Sequence, residues 1–353
     1  MQTDTIEEAR RQLQICNACR YCEGYCSAFP AITRLRSFAQ ADVTQIANLC
    51  HNCRGCYYAC QYTEPHEFAL NLPRALAELR GESWVDYAWP APVANLFHTR
   101  AWATLAATVL GFAAIFLIAQ TLKPENGTGF YAVMSHGLMV TIFAPAFLLP
   151  LLGLACGLRR YWRDAGGSRI TYSQFRDAIA QAATMKNLSG GHGDGCNFET
   201  GERFSPARRH AHHWVMYGFL LCFAATSAGT ILHYVFDQPA PYPLWSLPKV
   251  LGISGGLLMV LGCARMLHLK SRAPAELGDP ARTTSETAFI WLLGGVALSG
   301  LLLYALGNTA LMPLLLALHL GTVLTFFLLT PYTKMAHGFF RFAALLRDAQ
   351  HRT

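Results

Sequence analysis

Two stretches of eleven residues constrain this chain more than any other feature, because each holds four cysteines at the same spacing. They are CNACRYCEGYC, which runs from Cys16 to Cys26, and CHNCRGCYYAC, which runs from Cys50 to Cys60. Cysteines spaced C-x2-C-x2-C-x3-C are typical ligands of cubane [4Fe–4S] clusters. The doubled motif therefore predicts two such clusters near the N-terminus.

The spacing also predicts how the cysteines are shared between the clusters. In two-cluster ferredoxins the fourth cysteine of each run binds the cluster of the other run. The expected ligand sets are Cys16, Cys19, Cys22 and Cys60 for one cluster, and Cys50, Cys53, Cys56 and Cys26 for the other. A pair of zinc sites is the alternative, but zinc usually binds two C-x2-C pairs separated by a longer loop. His51, beside Cys50, is a candidate ligand or a group that tunes the cluster.

The rest of the chain consists mainly of apolar runs long enough to cross a membrane. Hydrophobic residues make up 53% of the chain and charged residues 14%, whereas ordinary domains have about 25% charged residues. The stretch between Glu286 and Lys334 carries no charge, and the turn GNTALMP divides it into two spans. A span needs about 20 apolar residues, so six are expected. They lie within residues 101–122, 130–158, 214–236, 248–269 and 286–334.

The basic residues predict the orientation of the spans, because cytoplasmic loops carry an excess of lysine and arginine. That excess is found in residues 158–212, after the fourth span and in the tail. The N-terminus lacks the apolar core of a signal peptide, and cytoplasmic cysteine clusters bind metals rather than form disulfides. Both termini are therefore expected in the cytoplasm, with the spans in a bacterial inner membrane. No basic run with interleaved aromatic residues is present, so nucleic-acid binding is not expected.

The predicted architecture is mainly α. A ferredoxin-like head with two [4Fe–4S] clusters occupies residues 1–98, and a six-helix transmembrane domain with the cytoplasmic loop 158–212 occupies residues 99–353. Within that loop, the glycine-rich segment 189–212 is interpreted as flexible, or as a docking surface near the clusters. The C-terminal stretch HGFFRFAALLRDAQHR predicts an amphipathic helix at the membrane interface.

Histidines within the spans are candidate haem ligands, because ionisable side chains inside a membrane are costly and usually functional. A b-type haem needs two imidazoles from facing helices at equal depth. His233 in span three and His319 in span six, both near the outer end, are the better candidate pair. His136 in span two lies at similar depth and is an alternative haem ligand or a residue of a quinone site.

A second haem would use histidines near the inner end of the same spans. His337 follows His319 by 18 residues, about 27 Å along a continuous helix, unless Pro331 kinks that helix. Its partner is His212 by helical phase, about 60° from His233, or His213 by depth. Simple anchoring at the interface is the alternative role for these inner histidines. One or two b haems are therefore expected.

The two cysteine runs, followed by a histidine-bearing six-span domain, resemble the tricarballylate/citrate utilisation B proteins (TcuB/CitB type) over essentially the whole chain. The resemblance implies an electron shuttle that reoxidises the flavin of a partner FAD-dependent tricarballylate dehydrogenase, a TcuA-like flavoprotein. Electrons would pass through iron–sulfur clusters and haem b to the quinone pool. The membrane part is also similar to the gamma-subunit fold of respiratory nitrate reductase, which implies haem ligands on spans three and six.

Two other functions remain open from the sequence. The chain could serve another cytoplasmic dehydrogenase, such as one for glycerol phosphate, lactate or a heterodisulfide. It could instead be a membrane-bound redox sensor whose iron–sulfur clusters signal rather than conduct. The sequence contains no flavin or nicotinamide fingerprint, so substrate oxidation itself is expected to take place on a partner.

Overall fold

A computed structural model describes residues 3–121, 129–199 and 203–352, and these residues are predominantly helical. The described residues form no β-strand beyond one isolated bridge between Cys196 and Ser205. The α-helices are α1 (Thr3–Cys19), α2 (Phe29–Thr33), α3 (Gln40–Leu49), α4 (Gly55–Tyr58), α5 (Leu72–Tyr87), α6 (Ala91–Thr99), α7 (Ala101–Ala119), α8 (His136–Asp164), α9 (Tyr172–Thr184), α10 (Ala207–Val235), α11 (Leu247–Ser271), α12 (Thr283–Leu306), α13 (Met312–Leu329) and α14 (Ala336–Arg352).

The head, formed by α1–α6, owes its packing to apolar residues at helical spacing. In α1, Ile6, Ala9, Leu13 and Cys16 are buried on one face, as expected for residues three or four positions apart. That face packs against α3 and α5, and Leu13 is fully buried. Cys16 is the last buried residue of this face. The first cysteine run therefore begins at the end of the face that α1 buries in the core.

Six helices are long and apolar enough to cross a membrane, namely α7, α8, α10, α11, α12 and the segment that begins with α13. The predicted number of spans is therefore confirmed, although residue 122 of the first predicted span lies outside the described residues. Glycines let two of these helices approach closely. A Cβ atom on Gly218 of α10 would lie 2.8 Å from the Gly255 carbonyl oxygen of α11, so small residues form this helix contact.

The last span does not continue into the C-terminal helix. Helix α13 ends at Leu329, a 3-10 turn covers Thr330–Tyr332, and α14 begins at Ala336. Pro331 lies in the turn, where it cannot donate a backbone hydrogen bond to continue the helix. His319 and His337 therefore do not lie on one continuous helix, and the interruption at Pro331 is the alternative that the sequence left open.

The C-terminal helix α14 is amphipathic, as its sequence predicts, but it does not lie free at a membrane interface. Its apolar side chains Phe340, Leu345 and Leu346 are buried in the same core as Leu13 and Ile46 of the head. The apolar face is covered by protein rather than by lipid. The core of the head is consequently completed by residues far beyond residue 98.

Helix α8 also contacts the head directly, through a glycine. A Cβ atom on Gly157 would lie 2.4 Å from the carbonyl oxygen of Tyr87, the last residue of α5. A backbone carbonyl cannot move aside as a flexible side chain can. The absence of a side chain at residue 157 therefore allows the head to pack against the membrane domain.

We expect Gly157→Ala to destabilise the junction by about 1–3 kcal/mol, the typical cost of overpacking. Gly137→Ala is the matched control, because Gly137 lies on the same helix with no heavy atom within 4 Å of its added Cβ. The measurement is the thermal unfolding midpoint of both variants in detergent. Equal midpoints for the two variants would contradict the close contact between α8 and the head.

Candidate functional site

Four cysteine thiols surround a pocket near the surface of the head. Three come from the first run and the fourth from the second, and they are Cys16, Cys19, Cys22 and Cys60. The pocket is also lined by Tyr21, which is 67% exposed. In this group, called the surface group, Cys19 and Cys60 are partly exposed, whereas Cys16 and Cys22 are buried.

The other four thiols form a second group, called the buried group because a loop covers it, in which Cys53 and Cys56 are buried and Cys26 and Cys50 are partly exposed. Burial, followed by the charges of Cys53 and Cys50, raises the pKa of Cys26. Burial and the charges of Cys26 and Cys53 likewise raise the pKa of Cys56. The structure thus brings Cys26 to the second run, just as it brings Cys60 to the first. The buried group consists of Cys26, Cys50, Cys53 and Cys56.

The donor chemistry of both groups fits iron–sulfur clusters. Buried thiolates repel one another and need positive charge nearby, which the iron ions of a cluster would supply. Among the described residues, no three histidine, cysteine, aspartate or glutamate side chains are grouped closely enough to hold a single metal ion. Each cysteine of a cubane binds a different iron, so four ligands spread around a wider centre are compatible with a cluster.

A loop from the middle of the chain closes over the buried group. The backbone N–H of Asn197 donates to the Cys53 carbonyl at 2.9 Å, and that of Gly191 donates to the Tyr25 carbonyl at 3.1 Å. Cys196 lies in this loop, where its Sγ donates to the Leu188 carbonyl at 3.3 Å and its side chain packs with Cys53. The described residues of segment 189–212 thus pack against the head, and Cys196 is a fifth thiol beside the buried group.

His192 lies in the same loop and contacts the first cysteine run. Its Nδ1 lies 3.2 Å from an Asp194 carboxylate oxygen, and its ring contacts those of Tyr25 and Phe204.

The inner histidines form one close pair. The rings of His212 and His337 are nearly perpendicular, at 72°, with centroids 5.8 Å apart, whereas His213 contacts the ring of Tyr217. Helical phase, not depth, therefore selects the partner of His337. The Nδ1 of His337 is hydrogen-bonded to the Lys334 carbonyl, which leaves Nε2 available as a ligand.

The outer histidines are not arranged as their sequence positions predicted. His233 stacks on His136 with centroids 4.2 Å apart, and the Nε2 of His136 lies 2.8 Å from the Tyr234 hydroxyl. His319 instead lies against α12, with its Nδ1 3.0 Å from the Ser299 hydroxyl. The predicted pair His233–His319 is thus not brought into contact, because α8 begins beside the outer end of α10.

The inner pair fits a haem and the outer set, as placed, does not. Two imidazoles on opposite sides of one metal ion have ring centres about 6 Å apart, because each metal–nitrogen bond is about 2 Å. The inner separation of 5.8 Å is close to this value, and the Nδ1 of His212 is buried with no hydrogen-bond partner. The stacked rings of His136 and His233 are too close for that arrangement.

Comparison with known proteins gives consistent matches along the chain. Residues 9–88 match the citrate utilization protein B Fer4-like domain, and residues 96–353 match citrate utilization protein B. Citrate utilization protein B of Escherichia coli is 42% identical over 352 residues, which cover 98% of this chain and 93% of that protein. No solved structure matches.

The grouping of the thiols can be tested by the iron content of double variants. We expect Cys16→Ala and Cys60→Ala each to remove roughly half of the bound iron, and the double variant to lose no more, because both residues belong to one cluster. Cys16→Ala combined with Cys26→Ala should remove the iron of both clusters. Iron and acid-labile sulfide are measured on purified protein, with Cys156→Ala as the control, since Cys156 is exposed and distant in sequence from both runs.

The opposite result would contradict the exchanged ligands. If the Cys16/Cys26 double variant retains as much iron as each single variant, each run binds its own cluster through all four of its cysteines.

Proposed function

This chain belongs to the citrate utilization protein B family, and we propose that it is a membrane-bound iron–sulfur electron-transfer protein for tricarballylate or citrate utilisation. In this proposal it reoxidises the reduced flavin of a partner FAD-dependent dehydrogenase of the tricarballylate dehydrogenase type. The electrons go to the quinone pool of the bacterial inner membrane. Two [4Fe–4S] clusters and haem b, when bound, supply the one-electron carriers.

The observation that carries this proposal is the succession of the two thiol groups and the inner histidine pair. Burial is the largest cause of the raised pKa of Cys26, followed by the charges of the nearer thiols and, more weakly, by that of Cys22 in the surface group. The two thiol groups are therefore close to each other. From the buried group, Arg80 donates to the Cys50 carbonyl at 2.8 Å and lies 5.8 Å from the Trp84 ring. Trp84 in turn is 6.4 Å from the ring of His337. Adjacent contacts thus lead from the head surface to the membrane domain.

The chain's own side chains hold and shield the positions along this route. The thiol groups hold the two cluster positions, and the loop that contains Cys196 and Asn197 excludes water from the buried one. The Lys334 carbonyl fixes the tautomer of His337 through Nδ1, so that its Nε2 is unprotonated and can bind metal. The burial of Cys196, which is 2% exposed, shows how far the loop closes the site.

The distribution of basic residues supports a cytoplasmic head. The helix ends that pack with the head carry arginines, including Arg159, Arg160 and Arg163 of α8. Such an excess marks the cytoplasmic side of a membrane protein. A partner dehydrogenase in the cytoplasm would therefore meet the surface thiol group.

A pocket between the head-side ends of the spans supports a quinone as the acceptor. Its volume is about 350 Å³, at the lower end of the usual range for small-molecule sites. Its lining is uncharged and consists of Trp89, Val93, Thr108, Phe112, Leu149, Pro150, Thr325, Leu328, Leu329 and Tyr332. Thr325 is fully buried, and its hydroxyl has no hydrogen-bond partner.

The pocket is also near the inner histidines. Tyr332 precedes His337 by five residues, so their Cα atoms are at most about 18 Å apart. The Thr325 hydroxyl can donate to a quinone carbonyl oxygen, and the pocket wall at Leu149, which is 64% exposed, is open toward lipid. A quinone could therefore enter from the membrane and accept electrons on the head side.

The proposal is tested with purified protein, reduced flavoprotein and a soluble quinone. We expect reduction to produce b-haem absorption bands, and added quinone to reoxidise them. A well-loaded iron–sulfur protein without haem bands, or one whose reduced carriers do not react with quinone, would contradict electron delivery to the membrane. That result would favour a redox sensor.

Replacing Thr325 by valine tests the quinone pocket separately. We expect the KM for quinone to rise about 2- to 10-fold, because one hydrogen bond contributes about 0.5–1.5 kcal/mol, while dithionite-reduced haem bands remain unchanged. Thr141→Val is the control, because the Thr141 hydroxyl already donates to the Gly137 carbonyl at 2.9 Å. An unchanged KM in Thr325→Val would place the quinone elsewhere.

A further inference from the structure

Four arginine side chains converge on the second cysteine run from distant parts of the chain. Arg54 belongs to the run itself, Arg80 to α5, Arg208 to α10 and Arg341 to α14. Arg54 is 4% exposed and Arg80 is 6% exposed, and the Nε atoms of Arg208 and Arg341 are also buried. No sequence pattern groups these residues, because 287 positions separate the first from the last.

Two of these arginines bind the same backbone oxygen of a thiol-bearing residue. Arg80 donates to the Cys50 carbonyl at 2.8 Å and to the Ala47 carbonyl at 3.1 Å. Arg341 donates to the Cys50 carbonyl at 3.0 Å. Two guanidinium groups on one carbonyl oxygen place two positive charges beside the Cys50 thiol.

The other two arginines enclose the opposite side of the run. Arg208 donates to the carbonyls of His51 and Asn52, both at 2.8 Å. Arg54 donates to the Phe198 carbonyl at 2.9 Å, and the guanidinium carbons of Arg208 and Arg54 lie 4.1 Å and 4.7 Å from the Phe198 ring centroid. The loop over the buried thiols thus holds both guanidinium groups in place.

In the described part of the chain, no salt bridge joins any of these four guanidinium groups to a carboxylate, and the charges of Glu276 and Glu286 reach Arg54 and Arg341 only through space. The hydrogen bonds of the four groups go to backbone carbonyl oxygens and to one amide oxygen, that of Asn52. Among the described residues, the buried Nε atoms of Arg208 and Arg341 have no hydrogen-bond partner. Buried charges are normally paired, because burying an isolated charge is costly. An anion is therefore expected at the centre of the group.

We propose that Arg54, Arg80, Arg208 and Arg341 provide the countercharge of the second iron–sulfur cluster and set its reduction potential above that of the first. This inference rests on the proposed function, because it assumes that the buried thiols bind a cluster. A cluster with four thiolate ligands is anionic, and each added electron increases its negative charge. Nearby positive charge in a poorly solvated site stabilises the reduced form and raises the potential.

The first cluster has less positive charge around it than the second, as the proposal requires. Its pocket is lined by one arginine, Arg20, whose side chain is exposed and is hydrogen-bonded to Asn17. Solvent screens that charge. One electron leaving the first cluster for the second is therefore favoured, and the buried cluster directs electrons toward His337 rather than back to the surface.

The experiment is an EPR-monitored redox titration of the full-length protein in detergent, without flavoprotein or quinone. Arg341→Gln removes one charge, Arg341→Lys retains it, and Arg347→Gln is the control on the same helix. Arg347 also donates to a backbone carbonyl, that of Ala165, but it does not contact the second run. We expect Arg341→Gln to lower the midpoint potential of one cluster signal only, with Arg341→Lys near the wild type and Arg347→Gln unchanged.

Three results would overturn the inference. They are an unchanged potential in Arg341→Gln, an equal shift of both cluster signals, and an equal shift in Arg341→Lys. If Arg341→Gln does not assemble its clusters, Arg208→Gln carries the same test with the same expected sign. Because the titration needs no partner protein and no acceptor, a failure of the proposed dehydrogenase or quinone would leave these potentials measurable.

Discussion

Burying negatively charged sulfur without positive charge nearby is costly, and this cost shapes the whole fold. The thiols of Cys53 and Cys56 are buried and those of Cys26 and Cys50 are partly exposed, and as cluster ligands all four would carry negative charge. The chain responds by bringing arginines to them from α5, α10 and α14, and by closing the Cys196 loop over them. Elements that are distant in sequence are therefore held together around one anionic centre.

This constraint accounts for the fusion of the head with the membrane domain. The core of the head includes Phe340 and Leu345 of α14 and Tyr161 of α8, so the head does not form its core from its own residues alone. The same helix α14 carries Arg341 to the thiols and His337 to His212. Packing, the proposed countercharge and a candidate haem ligand thus come from one element, which also holds the head against the membrane domain.

The sequence predicted the parts of the molecule that local pattern determines. Apolar runs between charged loops located the six spans, and helical phase favoured His212 over His213 as the neighbour of His337. Helical phase predicts which residues share a face only within one continuous helix. Pro331 interrupts the helix assumed to connect His319 with His337. The contact between His233 and His136 depends on how α8 packs beside α10. The convergence of Arg80, Arg208 and Arg341 depends on the whole fold. Neither leaves a periodic signal, and in the sequence Arg208 and Arg341 indicate only the topology of the spans.

The central claim is that electrons pass from the buried cluster to the membrane through the site at His212 and His337. The most direct measurement is freeze-quench EPR and optical spectroscopy of a His337→Ala variant, mixed with reduced flavoprotein in the presence of quinone. The account predicts that both clusters become reduced at the wild-type rate while quinone reduction is lost. Quinone reduction at the wild-type rate in this variant would contradict it.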